Sequence, residues 1–313
     1  MNRSTRFTML VAAAAATIAA APASARAQRD RERTRIDSTF AFDKGSWVDV
    51  SVASGAIIIT GWTRPEAKVY ASIERGWIDA QLSPHRITLQ ARSDRGRSGD
   101  TRIEIMVPIG TRVQASSASG SIRITGTDGE VEAGSASGAV EVIGATDRIT
   151  VRTVSGKLHA AKLRGRTRLG TTSGTLDAED VIGDLTATTV SGRITLSDVK
   201  SSHVSTEGVS ASVTYTGIVD PSGSYEFSTH SGNVHLDIPD NSAADLSLET
   251  FSGRVALRPG LAVTLKPGEV QSMVRHGKRM EFMIGKGGAQ VTVSTFSGNI
   301  IIDRGGHTDR EEN

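Results

Sequence analysis

Between Ser117 and Leu196 apolar and polar positions alternate, and the whole pattern returns every 18 residues. Aliphatic residues stand at Ile122, Val140, Leu158, Leu176 and Ile194, and Ser-Gly pairs at 119–120, 137–138, 155–156, 173–174 and 191–192. Two residues before each of those serines is another small hydroxyl: Ser117, Ser135, Thr153, Thr171 and Thr189. A short fixed period made of β-branched and hydroxyl residues, not helix formers, predicts a parallel β-solenoid with one coil per repeat.

The parity of the side chains refines this reading. Before each glycine the odd positions are small or apolar (Val131, Ala133; Ile149, Val151; Leu185, Ala187), while Glu132, Arg152 and Arg168 between them require water. After the glycine the parity flips: Ile122 and Ile124, Val140 and Val142, Ile194 and Leu196 point in. Strands alternate faces with period two, so a flip of one residue requires a bulge or corner at Ser-Gly. A second turn such as Thr127-Asp128-Gly129 starts the next strand. By the same parity Ser119, Ser137, Ser155, Ser173 and Ser191 face inward, as a stacked corner ladder bonded to backbone groups. A nucleophile would not recur five times in identical surroundings.

The flanking sequence divides in the same way. Residues 1–27 read as a signal peptide: Arg3 and Arg6, an apolar run from Met9 to Ala21, and Ala25-Arg26-Ala27 as the cleavage site. Residues 28–35 are a polar tail, 36–303 the β-solenoid domain and 304–313 a second polar tail. Ser54-Gly55 before Ile57-Ile58-Ile59 is an outlying copy of the repeat. Past Leu196 the spacing loosens, with Ser231-Gly232 and Ser252-Gly253 standing 21 apart and Ser297-Gly298 marking the final pass. The insertion at 259–288 is expected to form a hairpin beside the last coils. The expected fold class is all-β: a single parallel solenoid with coils of 18–21 residues marked by S/T-x-S-G.

Charge removes some function classes. The leader holds three of the 36 basic residues and no acid, leaving 33 − 34 = −1 for the remainder, so bulk charge gives no support for nucleic-acid binding. The absence of cysteine excludes disulfides, a lipidated cysteine and thiolate metal sites. No apolar run after the leader is long enough for an integral membrane segment, so the expected location is exported: periplasmic, cell-surface or extracellular.

Several motifs carry a family resemblance. They are Gly61-Trp62-Thr63-Arg64-Pro65-Glu66, Val107-Pro108-Ile109-Gly110-Thr111, the serial Ser/Thr-x-Ser-Gly strands and the closing Thr295-Phe296-Ser297-Gly298. Over Ile36 to Asp303 the chain resembles the exported bacterial β-strand-repeat proteins classed as domain of unknown function 4097, often called candidate adhesins. The resemblance implies a β-solenoid at the cell envelope with no established catalytic activity.

Four constellations bear on chemistry. Arg123, Glu141, His159 and Asp177, with Thr195, form an outward column about 4.8 Å apart from coil to coil. The column could act as an acid/base site or a glycan-binding strip; as a cross-strand charge ladder it is worth about 0.2–1 kcal/mol per pair. The glycine-rich turn of calcium-binding rolls is absent and the histidines are scattered, with His230 and His235 facing opposite sides of a strand, so no metal or cofactor is expected. Ice binding is excluded by the inward parity of the hydroxyls and the charged outward columns. Carbohydrate chemistry wants a carboxylate cluster beside aromatic platforms, whereas Trp47, Trp62 and Trp77 all lie toward the N-terminus. The expected function is therefore a non-enzymatic envelope scaffold or adhesin-like surface, its partner an envelope protein or glycan. The alternative is a polysaccharide-binding or polysaccharide-active β-helix protein.

Overall fold

A computed structural model describes residues 32–92, 100–239, 241–257, 263–265 and 278–305; the segment expected to be a signal peptide, much of both polar tails and much of the insertion lie outside them. The fold is all-β, with no helix among the described residues. The strands join one sheet.

The middle of the sheet follows the repeat. Ile122 pairs in parallel with Val140, and Val140 with Leu158. On the neighbouring strand Val131 pairs with Ile149, Ile149 with Thr167 and Thr167 with Leu185. Every partner here is 18 residues away. Equivalent positions therefore stack in columns, and the columns that parity points inward form the core: Ile122, Val140, Leu158, Leu176 and Ile194 are each at most 1% exposed. The other corner of each repeat is a left-handed residue at the same interval: Gly126, Gly144, Lys162, Asp180 and Asp198, with φ between 49° and 70°. Glycine enters that region freely and aspartate tolerates it, whereas a lysine carries a steric cost there.

Toward the C-terminus the register widens to 21 residues, Val213 pairing with Val234. The widened interior is filled by rings. Tyr215 lies 5.2 Å from Phe227 and 6.1 Å from Tyr225. Tyr225 Oη donates to the Ser201 carbonyl and accepts from the Asp220 amide at 2.8 Å. Burial pushes both phenols above their ordinary pKa, with repulsion from Tyr225 adding to the effect at Tyr215.

Chain order and spatial order part company at both ends. Trp47–Val52 and Ala56–Trp62 lie between Arg86–Arg92 with Thr101–Pro108 on one side and Arg112–Ser117 with Ser121–Thr125 on the other. Likewise Ala289–Ser297, the final pass in sequence, is inserted between Leu185–Ser231 and Ala244–Thr250, so it is not the last layer in space. Antiparallel strands close the ends. Arg35–Ala41 pairs with Glu66–Ile73, Glu66–Ile73 with Thr101–Pro108, and Trp77–Ser83 with Arg86–Arg92. At the far end Lys278–Ile284 runs antiparallel to both Ala244–Thr250 and Val263–Leu265, which is the hairpin expected of the insertion. A parallel stack would otherwise expose rows of unpaired amides and carbonyls at each end, a template for aggregation.

Candidate functional site

The hydroxyl row at the Ser-Gly corner is displaced from its expected place. Ser119, Ser137, Ser155, Ser173 and Ser191 do stack at the corner, Ser137 N donating to Ala118 O at 3.0 Å and Ser155 N to Ala136 O at 2.9 Å. All five serines, however, are exposed. The buried row is two residues earlier: Ser117, Ser135, Thr153, Thr171 and Thr189 are 4–8% exposed. In the repeats before Leu158 the strand ends at that hydroxyl, as Val131–Ser135 and Val140–Thr153 do, so the serine sits in the turn and strand parity no longer governs it. At Ser135 the buried hydroxyl closes the corner in two directions, whereas the Thr171 and Thr189 hydroxyls are buried without a hydrogen-bond partner. Ser135 Oγ accepts from the Gly138 amide at 2.9 Å and donates to the Gly120 carbonyl of the layer below at 3.1 Å. Thr229 and Thr295 make the same donation to Ala211 and Gly232.

The outward column predicted as a candidate site holds one ion pair between its own members. Arg123 Nε lies 2.7 Å from Glu141 Oε2, and Asp177 pairs with Lys157 at 3.1 Å instead of with His159. Arg123 is exposed, but Glu141, His159 and Asp177 are half-buried, since the long basic side chains lie against the carboxylates. The histidines stay apart, His230 stacked on Phe296 and His235 Nε2 2.6 Å from Asp303 Oδ2. No group of three or more His, Asp or Glu side chains that could hold a metal occurs among the described residues. Trp47 and Trp62 serve the N-terminal end, with Arg112 and Arg64 lying 5.5 and 5.1 Å from their rings.

A feature the sequence reading passed over is the x of S/T-x-S-G. Ala136, Val154, Thr172, Val190, Val209, His230, Phe296 and Phe251 form the apolar wall of a groove of about 1240 Å³. The other wall is the last outward strand position before the corner: Gly134, Arg152, Gly170, Thr188, Glu207, Ser228, Ser294 and Glu249, with Glu226 beside it. Glycine at 134 and 170 deepens the groove on either side of Arg152. At the C-terminal end the wall becomes aromatic, because layers stacked at strand spacing bring rings face to face. His230 and Phe296 lie 4.9 Å apart at 5°, and Phe296 and Phe251 4.6 Å apart at 6°. The signal was present in the same hydroxyl motif, in the central residues of Thr-His-Ser, Thr-Phe-Ser and Thr-Phe-Ser at 229–231, 250–252 and 295–297.

Residues 48–303 match the model of the Toastrack family, domain of unknown function 4097. The chain belongs to that family. No curated protein matches this Toastrack sequence. Among solved structures it is similar to a candidate adhesin from Bacteroides fragilis, at 11% identity over 86% of this chain and 96% of that one, with a TM-score of 0.31. A candidate cell adhesion protein from Clostridium sporogenes matches at 11% over 86% and 99%, with a TM-score of 0.20. A candidate lipid-binding protein from Parabacteroides distasonis matches at 12% over 87% and 95%, with a TM-score of 0.31. Superpositions this loose carry no residue of the groove from one protein to another. Among the described residues no helix is long and apolar enough to cross a membrane.

Proposed function

We propose that this Toastrack protein is a non-enzymatic, exported β-solenoid, a single stack of 18–21-residue coils, that acts at the cell envelope as an adhesin-like contact surface, with the corner groove as its contact. One observation carries the reading. Of the eight large apolar side chains exposed among the described residues, five (Val154, Val190, Val209, Phe251 and Phe296) fall in the single column that walls the groove. Scattered exposed apolar residues are ordinary, whereas a contiguous row rimmed by polar groups marks a surface that another molecule covers. The groove offers contact in place of chemistry: its histidine is stacked between layers, and its carboxylates make no ion pair among the described residues.

The test is sedimentation of the labelled protein with bacterial envelope fragments, comparing wild type with Val190→Asp/Val209→Asp. Both positions are about half exposed, so the pair should fold normally. The expected result is loss of co-sedimentation with an unchanged melting temperature. Undiminished co-sedimentation would overturn the assignment of the groove.

A further inference from the structure

Resting on the groove as the contact surface, we propose that its occupant is a linear, uncharged polysaccharide lying along the stack. The groove crosses successive layers from Ser117 to Phe251, offering an apolar and a polar wall at each step of about 4.8 Å. Its ligand is therefore long, and has one apolar and one hydrogen-bonding side.

An extended peptide fits this poorly. Side chains on one face of a strand recur about every 6.6–6.8 Å, out of step with the layers. Peptides that bind as added strands draw affinity from a free sheet edge. The lining strands have no such edge: Ala289–Ser297 is paired on both sides, as is Val140–Thr153. An acyl chain fits no better. It would lie along Arg152, Glu207, Glu226 and Glu249 and strip water from charges without pairing them.

A sugar chain meets both walls. The C–H faces of its rings can lie on Val190 and Val209, and its hydroxyls can donate to Glu207 and Glu226 in charge-assisted hydrogen bonds. Ser228 and Ser294, already 3.2 Å apart, add a hydroxyl pair to the same wall. Phe251, Phe296 and His230 turn their faces to one another, so the ring edges line the groove. Aromatic edges are the positive part of the quadrupole and favour oxygen over cations. Three carboxylates against the one arginine disfavour uronic or sulfated chains, which leaves the neutral class.

The experiment is affinity electrophoresis of the full chain through gels containing hydroxyethylcellulose or a neutral β-glucan, with alginate as the acidic probe. Phosphatidylglycerol/phosphatidylethanolamine vesicles are tested separately by flotation. The variants are Val209→Arg, which fills the groove, and Ile218→Arg, equally exposed but outside its lining. The expected result is retardation of wild type by a neutral gel and not by alginate, weakened about tenfold or more in Val209→Arg and unchanged in Ile218→Arg. Glu207→Gln/Glu249→Gln should narrow the discrimination against alginate. Failure of both neutral gels to retard the protein, vesicle binding in their place, or equal retardation of Val209→Arg would overturn the proposal. If Val190→Asp/Val209→Asp still abolishes envelope co-sedimentation while no neutral gel retards the protein, the polysaccharide falls and the contact surface stands.

Discussion

Replacing Gly138 by alanine tests the corner at its tightest point. Gly138 does not have a left-handed φ, so its requirement is space alone. A Cβ built there would lie 1.8 Å from the Gly120 carbonyl oxygen and 2.5 Å from its carbon, both backbone atoms of the layer below. No rotamer relieves such a contact; the two layers must separate locally by more than an ångström. Three hydrogen bonds hold them there: Ser137 N to Ala118 O, Ala136 N to Ser117 O, and Ser135 Oγ to Gly120 O. At about 0.5–1.5 kcal/mol net for each, Gly138→Ala should cost about 1.5–4.5 kcal/mol, a large share of the ~5–15 kcal/mol that stabilises a typical domain. Gly134→Ala is the internal control. Its Cβ would meet only the Arg152 carbonyl at 3.8 Å, and it should be neutral or stabilising by up to about 1 kcal/mol. Urea titration of the two variants beside wild type measures both values. A Gly138→Ala midpoint matching that of Gly134→Ala would refute the close stacking of the corners.

Three further outcomes are expected. Leu176→Ala should cost about 2–5 kcal/mol in a chemical denaturation, through lost burial and a residual cavity, whereas Val154→Ala on the exposed column should change stability by less than about 0.5 kcal/mol. Lys162→Gly, which releases a lysine from φ 55°, should leave the melting temperature unchanged or raise it. Asp237 has one carboxylate oxygen buried without a hydrogen-bond partner, and burial raises its pKa, with His235 opposing and Asp303 adding to the shift. A carboxyl whose folded pKa is raised destabilises the fold once ionised, so stability is lost as pH rises from its unfolded pKa through its folded one. Asp237→Asn should therefore melt higher than wild type at pH 7, and the difference should vanish on acidification below the unfolded carboxylate range; a difference constant with pH would contradict the assignment.

The strand columns were legible in the sequence because period and parity are local properties: Ile122 and Val140 occupy the same place in the same pattern, and the register pairs them. Ser137 was misplaced because parity holds only while the chain is a strand, and the chain leaves the strand at Ser135, two residues earlier. Ser173 and Ser191 stay within strands, and there two consecutive exposed residues put the change of phase at the serine, one residue before the glycine. The inserted final layer was not legible. Nothing in Ala289–Ser297 distinguishes pairing after Thr250 from pairing between Thr229 and Thr250; in the structure Lys278–Ile284 occupies one edge of Ala244–Thr250, which leaves the edge facing Thr229 for Ala289–Ser297. The groove was half legible. From Ala136 to Val190 its apolar wall repeats at the 18-residue interval that revealed the fold, but an alanine at 136 and a phenylalanine at 296 share a surface only once the layers are in order.

The central claim, that the corner groove is where this protein meets its partner, can be tested by contact at a single residue. The chain contains no cysteine, so Val209→Cys gives one thiol in the groove and Thr150→Cys one on an outward strand position away from its lining. Each is labelled with a thiol-reactive photo-cross-linker, mixed with envelope fragments and irradiated. The account predicts cross-linked product from position 209 and little from position 150; equal yields, or product from position 150 alone, would contradict it.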